Sequence, residues 1–331
     1  MACAFAGNYK QLLSLRTILG VGEAGYGPAG VAMVSWLYPI EKRARMLGIW
    51  GASQPLGIGA GIALGGLIAA QLGWRYAFGL VALPGLIVAI LFFFVKDYKT
   101  VALVKTIQQT SAEAVSKMKM RAGDIVKEFL RTPTLVFTYL GFTASIFVTT
   151  SIMTWLPTFY HRMGGITEAQ ASIIIALAVI GQPVGGYLSD LWVKRNPNSR
   201  LIYCTITPII SALLLFAAFF LFEGNVQYIV LIIMGIVVTA FVPAAVSVTQ
   251  EVIHPGLRSM SYAFAVLFQS LLGASLGPIV IGAISDATDL QTALRVLSFF
   301  LILSSALFFT GSFFYKRDFN KVEKIAVETA S

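Results

Sequence analysis

Arg16 and Glu23 have opposite charges and lie seven positions apart in the apolar segment Gln11 to Tyr38. A helix would place them about 10 Å apart along its axis and on nearly one face. A charge at the bilayer centre costs at least about 2.5–3.5 kcal/mol, so it usually has a partner or a function. The pair predicts a proton-coupling site, in which Glu23 binds the proton and Arg16 keeps it charged or contacts an anionic substrate. A buried ion pair that only fixes helix packing is the alternative.

The composition is typical of a helical membrane protein. Hydrophobic residues make up 57% of the chain and charged residues 12%, with a mean hydropathy of +0.80. A soluble domain has about 25% charged residues. Windows of about 20 apolar residues are too long for membrane strands and predict an all-α bundle. They lie at Gln11 to Tyr38, Met46 to Ala70, Trp74 to Val95, Thr134 to Thr158, Ala169 to Leu188, Leu201 to Phe222, Val226 to Gln250, Ser259 to Ile284 and Gln291 to Tyr315.

The basic residues predict the orientation of this bundle. Of the 24 Lys and Arg residues, nineteen fall in loops on one side of the nine spans and only three in loops on the other. Cytoplasmic loops retain such residues, so the C-terminus is predicted to be cytoplasmic. The net charge of +9 then reflects loops that face anionic membrane lipid and does not indicate nucleic-acid binding. A bacterial inner (plasma) membrane is the expected location.

The spans divide into two unequal groups. Residues 1–95 are predicted to form a partial N-terminal bundle, 96–132 a cytoplasmic linker, 133–315 a six-helix C-terminal bundle and 316–331 a cytoplasmic tail. The opening MACAFAG has neither the basic stretch nor the cleavage pattern of a signal peptide and resembles the end of a membrane helix. We therefore expect an N-terminally truncated chain with about nine full spans and a stub. In the linker, Val115, Met118, Ala122 and Ile125 have helical spacing, which indicates either a membrane-surface helix or a solvated connection.

Two further sets of residues lie at membrane depth. Gly57, Gly61 and Gly65 recur every four residues and predict close packing against a neighbouring helix. Several polar or aromatic residues could together line an amphipathic substrate cavity between the bundles. These are Tyr26, Gln54, Trp155, Gln182, Gln250 and Gln269.

Motifs typical of enzymes lack their required context. The G-x-G-x-x-G at Gly20 follows no strand, and the G-x-S-x-G at Gly273 lies inside a predicted membrane helix, far from both histidines. The two cysteines, Cys3 and Cys204, have neither disulfide nor metal-site spacing. The sequence therefore predicts no enzyme activity, no cofactor and no metal. Without a P-loop, transport would be driven by an ion gradient.

The segment GGYLSDLWVKR, from Gly185 to Arg195, resembles the signature loop of the major facilitator superfamily of secondary transporters. The segment GWRYAF, which begins at Gly73, is similar to the start of that family's sixth helix, and Gln11 to Tyr38 would then be the fourth. The resemblance implies a two-bundle fold with alternating access. It also implies that Gly186, Asp190, Lys194 and Arg195 form a loop involved in conformational change.

Within this family, RTILGVGEAGYGPAG, MTWLPTFYHRMGG and SLLGASLGPIVIGAISD most resemble the spinster-like group. That resemblance implies proton-coupled transport of a lysolipid or another small amphipathic or anionic organic solute, and it matches Arg16 and Glu23 to the group's fourth-helix Arg and Glu. The organic anion symporters share the Gly-Glu-Ala pattern, so a hexuronate-like sugar-acid symporter stays open. A membrane fragment without independent transport is the third possibility.

Overall fold

A computed structural model describes residues 2–94, 122–163, 177–194, 196 and 198–328. Every regular element within these ranges is helical. A 3-10 turn at Ala2–Phe5 comes first, and another at Pro255–Leu257 precedes α11. The helices are α1 Tyr9–Ala24, α2 Tyr26–Leu37, α3 Ile40–Leu72, α4 Trp74–Phe92, α5 Ala122–Leu130, α6 Pro133–Met163, α7 Gly181–Val193, α8 Ser199–Phe220, α9 Gly224–Ala240, α10 Val242–Glu251, α11 Arg258–Phe268, α12 Leu276–Ala287 and α13 Leu290–Glu328.

Seven helical stretches in the described part are long and apolar enough to cross a membrane. Each overlaps one predicted span, so the prediction of an all-helical multi-pass protein is confirmed. The first predicted span is divided at Gly25 into α1 and α2. The fifth, 169–188, falls partly outside the described residues, and α7 contains its second half. The seven are Ile40–Leu72, Trp74–Phe92, Pro133–Arg162, Ser199–Phe220, Gly224–Glu251, Pro255–Ala287 and Leu290–Val322.

The C-terminal helices pack closely around α6 and α13. Between these two helices, the Ser145 and Ser304 hydroxyl oxygens are 2.7 Å apart, and Ser304 Oγ donates to the carbonyl oxygen of Gly141 at 2.7 Å. Between α7 and α9, a Cβ atom on Gly185 would lie only 2.0 Å from the Ala240 carbonyl oxygen. Small residues and hydroxyl hydrogen bonds are the usual means by which helices associate in lipid. The bundle is therefore held by close backbone approach as well as by its apolar side chains.

The N-terminal helices are much more open. The most apolar window of α3 is 0% buried and that of α4 is also 0% buried, whereas the window in α6 is 67% buried. No described atom lies within 4 Å of where a Cβ would stand on Gly57, Gly61 or Gly65. The close packing predicted for these three glycines is therefore absent among the described residues.

Helix α5 is the described part of the predicted linker. Its Ile125 and Phe129 side chains are buried, and the Phe129 ring meets the Phe264 ring edge-on at 5.0 Å. The Lys321 ammonium lies 2.8 Å from the Glu128 carboxylate. This segment is an amphipathic helix packed on the C-terminal bundle. Val115 and Met118 lie outside the described residues, as does 96–121 of the linker, while α13 continues through the predicted boundary at 315 to Glu328.

Candidate functional site

A cavity of about 740 Å³ lies between the N-terminal helices α1 to α3 and the C-terminal helix α11. Four of the residues predicted for a proton site or substrate cavity line it together: Glu23, Tyr26, Gln54 and Gln269. Trp50 and Tyr262 add two further aromatic side chains. We call this space the central cavity.

Gly30 of α2 allows an aromatic residue of the central cavity to lie beside this helix. A Cβ on Gly30 would be 2.9 Å from the Trp50 ring, so the missing side chain leaves room for the indole. A Cβ on Gly27 would be 3.5 Å from the Tyr262 ring of α11. The Trp50 ring then stacks on Tyr26, with ring centroids 5.9 Å apart and planes 27° from parallel.

Gln269 begins a π-helical segment, Gln269–Ser275, between α11 and α12. The Ser275 hydroxyl donates to the Ser270 carbonyl oxygen at 2.8 Å within this wider turn. Short π-helical turns are frequent at functional sites. The side-chain Nε2 of Gln269 is buried and has no hydrogen-bond partner among the described residues. The amide therefore retains hydrogen-bonding capacity at the wall of the central cavity.

Arg16 lies in a different cavity from Glu23. This second cavity, of about 730 Å³, is bounded by α1, α3 and α4 and is lined mainly by apolar residues such as Ile18 and Trp74. The Arg16 guanidinium carbon lies 4.8 Å from the centroid of the Phe78 ring. Within the described ranges, no ion pair or hydrogen bond joins Arg16 to Glu23. The two charges thus belong to separate surroundings although one helix carries both.

The remaining predicted cavity residues lie away from the central cavity. Trp155 Nε1 donates to the Pro278 carbonyl oxygen at 2.9 Å, inside the C-terminal bundle. Gln182 lies where α7 crosses α3. Gln250 is fully buried, and its Nε2 donates to the Thr249 hydroxyl at 3.0 Å. All three are packing positions in this conformation.

A second feature, which we call the charge cluster, joins the two bundles. It consists of Arg43 of α3, Asp190 of α7, Arg200 of α8, Glu251 of α10 and Tyr315 of α13, all of them buried. Arg200 pairs with both Asp190 and Glu251. Arg43 Nη1 lies 3.9 Å from Glu251 Oε1, and the Tyr315 hydroxyl donates to Glu251 Oε2 at 2.7 Å. The two positive and two negative charges compensate one another.

The charge cluster binds the first turns of α3. The Asp190 carboxylate accepts from the backbone N–H groups of Ala44 and Arg45 at 3.2 and 2.7 Å. Arg200 donates to the Ile40 carbonyl oxygen. The contact also needs Gly186, because a Cβ there would lie 2.3 Å from the Ala44 carbonyl oxygen.

The predicted conformational loop is thus only part of this arrangement. Gly186 and Asp190 lie at the junction, Lys194 is exposed at the end of α7, and Arg195 is outside the described residues. No sequence pattern predicted a site role for Arg43, Arg200, Glu251 or Tyr315. A usable signal was Glu251, an acidic residue placed directly at the end of a long apolar span.

Comparison with protein families identifies the chain's relatives. The Major Facilitator Superfamily model matches residues 1–278. Protein spinster homolog 1 of Xenopus laevis is 26% identical over 344 residues, which cover 94% of this chain and 64% of the relative. Protein spinster of Drosophila melanogaster is 26% identical over 299 residues, which cover 86% and 48%. The chain therefore spans between about half and two thirds of the length of these relatives.

Solved structures share the fold. A bacterial homolog to the human lysosomal transporter spinster, in an inward-facing and unoccupied conformation, aligns with a TM-score of 0.59 and 21% identity, over 96% of this chain and 80% of that one. The Escherichia coli fucose:proton symporter FucP aligns with a TM-score of 0.68 and 15% identity, over 95% and 78%. Together with the family match over most of its length, the helical bundles show that the chain belongs to the Major Facilitator Superfamily, a family of multi-pass membrane transporters and not of enzymes.

Proposed function

We propose that this protein moves a small organic solute across a membrane by alternating access, driven by protons that bind to Glu23. One observation carries the proposal: Glu23 alone is charged among the described residues that line the central cavity. A cavity of about 740 Å³ is the size of a small-molecule site.

The contacts of α3 support alternating access. Its first turns are held against α7 by the charge cluster, while Gly57, Gly61 and Gly65 further along have no described neighbour within 4 Å. Rocking of one bundle against the other would open the first contact and close the second. Most of the basic loops lie at the charge-cluster end, so we propose that this end, with the C-terminus, is cytoplasmic. The conformation described here would then be open to the other side.

Protonation of Glu23 supplies a reason for coupling. An ionised carboxylate is costly at membrane depth, and taking up a proton removes that cost. Closure of the central cavity around Glu23 would therefore favour the protonated form. The other titratable side chains among the described lining residues are Tyr26 and Tyr262. Arg16 lies in the second cavity, where it contributes to the packing of α1 against α4.

The test is solute-dependent proton flux in proteoliposomes that contain the full chain and a trapped pH-sensitive dye. Lysophosphatidylcholine below its micellar concentration and glucuronate are added separately, because they represent the lysolipid and sugar-acid possibilities. We expect Glu23→Gln to abolish the flux. Glu223→Gln, which removes an exposed carboxylate from a loop, should retain it. Wild-type flux in Glu23→Gln would contradict the proton role.

The same assay separates the alternatives. A response to glucuronate alone would favour the sugar-acid symporter, although no cationic residue among the described lining would receive such an anion. A folded chain with no response to either solute would favour a fragment without independent transport. That alternative is motivated by the 64% coverage of the spinster homolog.

A further inference from the structure

We infer that the central cavity binds an organic cation, such as a solute with an alkylammonium head. The inference rests on the proposed function in one respect, that the solute occupies this cavity. It concerns the charge of the solute, which the proposed function leaves unspecified.

The charge on the described lining of the central cavity favours a cation. Glu23 contributes a carboxylate, and the described lining contains no Lys, Arg or His. An anionic solute would meet a like charge and, among the described lining residues, no positive partner, which disfavours its binding. Arg16, the residue that could have received an anion, lies instead over the Phe78 ring in the second cavity.

The aromatic residues provide a second, independent argument. Tyr26 and Trp50 present stacked rings 5.9 Å apart, and Tyr262 adds a third ring from the other bundle. The negative faces of such rings attract ammonium groups, and aromatic cages are a common means of recognising quaternary ammonium ligands. Gly30 leaves the space in which the Trp50 ring lies against α2. A carboxylate beside several aromatic rings is the chemistry expected for a cation with apolar substituents.

The polar residues complete the site. Gln54 of α3 and Gln269 of the π-helical segment line the central cavity from different bundles. A solute that contacts Glu23 and Tyr26 on one side and Tyr262 and Gln269 on the other would touch both bundles. Binding would therefore depend on how far the bundles are apart, as a transport site requires.

The experiment uses two ions of the same shape and opposite charge, tetraphenylphosphonium and tetraphenylborate. Binding of the radiolabelled cation is measured on the full chain in nanodiscs of phosphatidylcholine, without a pH gradient. We expect saturable binding of tetraphenylphosphonium and no saturable binding of tetraphenylborate when the two radiolabelled ions are measured in separate samples. Glu23→Gln should weaken binding at least about tenfold, because it removes the single charge among the described lining residues. Glu223→Gln should leave binding unchanged.

Two further variants keep the inference falsifiable. Glu23→Asp retains the charge and should retain binding of the cation. Trp50→Leu retains the charge but removes one ring, and it should weaken binding by about 2- to 30-fold, as expected for a cation–π contact. Folding of each variant is checked by thermal unfolding with a thiol-reactive dye that reports exposure of the two buried cysteines, Cys3 and Cys204. Equal binding of both ions by the wild-type chain, or Glu23→Gln affinity within twofold of wild type, would overturn the inference.

The outcomes distinguish this inference from the proposed function. Glucuronate-dependent proton flux without binding of tetraphenylphosphonium would retain proton-coupled transport and remove the cation preference. Cation binding that depends on Glu23, without proton flux for any solute, would retain the cation site and remove the proton coupling.

Discussion

The two halves of α3 have different surroundings although they form one continuous helix. In the first half, Ala44 and Leu47 are buried, and a Cβ on Gly48 would lie 2.5 Å from the Gln182 carbonyl oxygen. In the second half, Gly57 and Gly61 have no described neighbour within 4 Å. Both halves contain glycines that could permit close packing. Glycine spacing therefore permits a helix contact, while the charge cluster determines which half makes it.

Charge also has different roles at the first turns of this helix and at its middle. At the first turns, Arg200 is fully buried between Asp190 and Glu251, so each charge is compensated. Near the middle of the helix, where Trp50 and Gln54 line the central cavity, Glu23 lines the same cavity without a basic residue among the described lining. A compensated cluster stabilises one conformation, whereas an uncompensated carboxylate is available to a proton or a ligand. The comparison predicts that substitutions in the cluster alter stability and that substitutions in the cavity alter binding.

The largest effect is expected from Glu251→Gln. This change leaves Arg200 and Arg43 without one of their negative partners, and breaking a buried charge pair costs about 3–5 kcal/mol. The free energy of unfolding should fall by that amount, measured by denaturant titration in detergent with exposure of the two buried cysteines as the signal. The matched control is Glu128→Gln, whose partner Lys321 has a side chain 53% exposed. That surface pair should contribute less than about 1 kcal/mol. Equal losses in the two variants would mean that burial does not distinguish these pairs.

A smaller effect is expected from Gly48→Ala, with Gly57→Ala as its control in the same helix. The Cβ at position 48 would overlap the Gln182 carbonyl group, and overpacking typically costs about 1–3 kcal/mol. At position 57 the Cβ would have no described neighbour within 4 Å, and alanine improves helix propensity by up to about 1 kcal/mol. Thermal unfolding should therefore shift in opposite directions. A loss of stability in Gly57→Ala would indicate that the second half of α3 is in contact after all.

The smallest effect is expected from the pH response of His254, next to the charge-cluster end. Its Nδ1 accepts from the Gly256 N–H at 3.1 Å, and burial, with a further contribution from Arg258, lowers the pKa of His254. As the pH falls, a histidine in the unfolded chain takes up its proton near pH 6.5, whereas the folded one takes it up only at a lower pH. Stability should thus fall as the pH drops below about 6.5 and should not change above it. His254→Asn should show a weaker fall between pH 6.5 and 5.5 when melting temperatures are compared. An identical pH response would assign the effect to other groups.

Much of the architecture could be predicted from composition and from a few spaced residues. Long apolar spans predict helices because a backbone in lipid must satisfy its own hydrogen bonds. The polarity of Tyr26, Gln54 and Gln269 at membrane depth indicated a shared cavity, and these three residues line the central cavity together with Glu23, the predicted proton-binding residue. The same reasoning also selected Gln250, which instead donates to Thr249 inside the bundle. The depth of a residue in the membrane can be predicted from its position along one helix. The neighbouring helix that its side chain faces cannot be predicted in this way.

The amino-acid sequence alone determines that the chain is a bundle of membrane helices and that Glu23 places a charged side chain within that bundle. Both follow from local properties, the length of apolar segments and the cost of charge in lipid. Tertiary structure decides that Arg16 and Glu23 lie in separate cavities and that Arg43, Asp190, Arg200 and Glu251 meet. The reason is that these four come from different helices, and only the packing of those helices brings together charges that compensate one another.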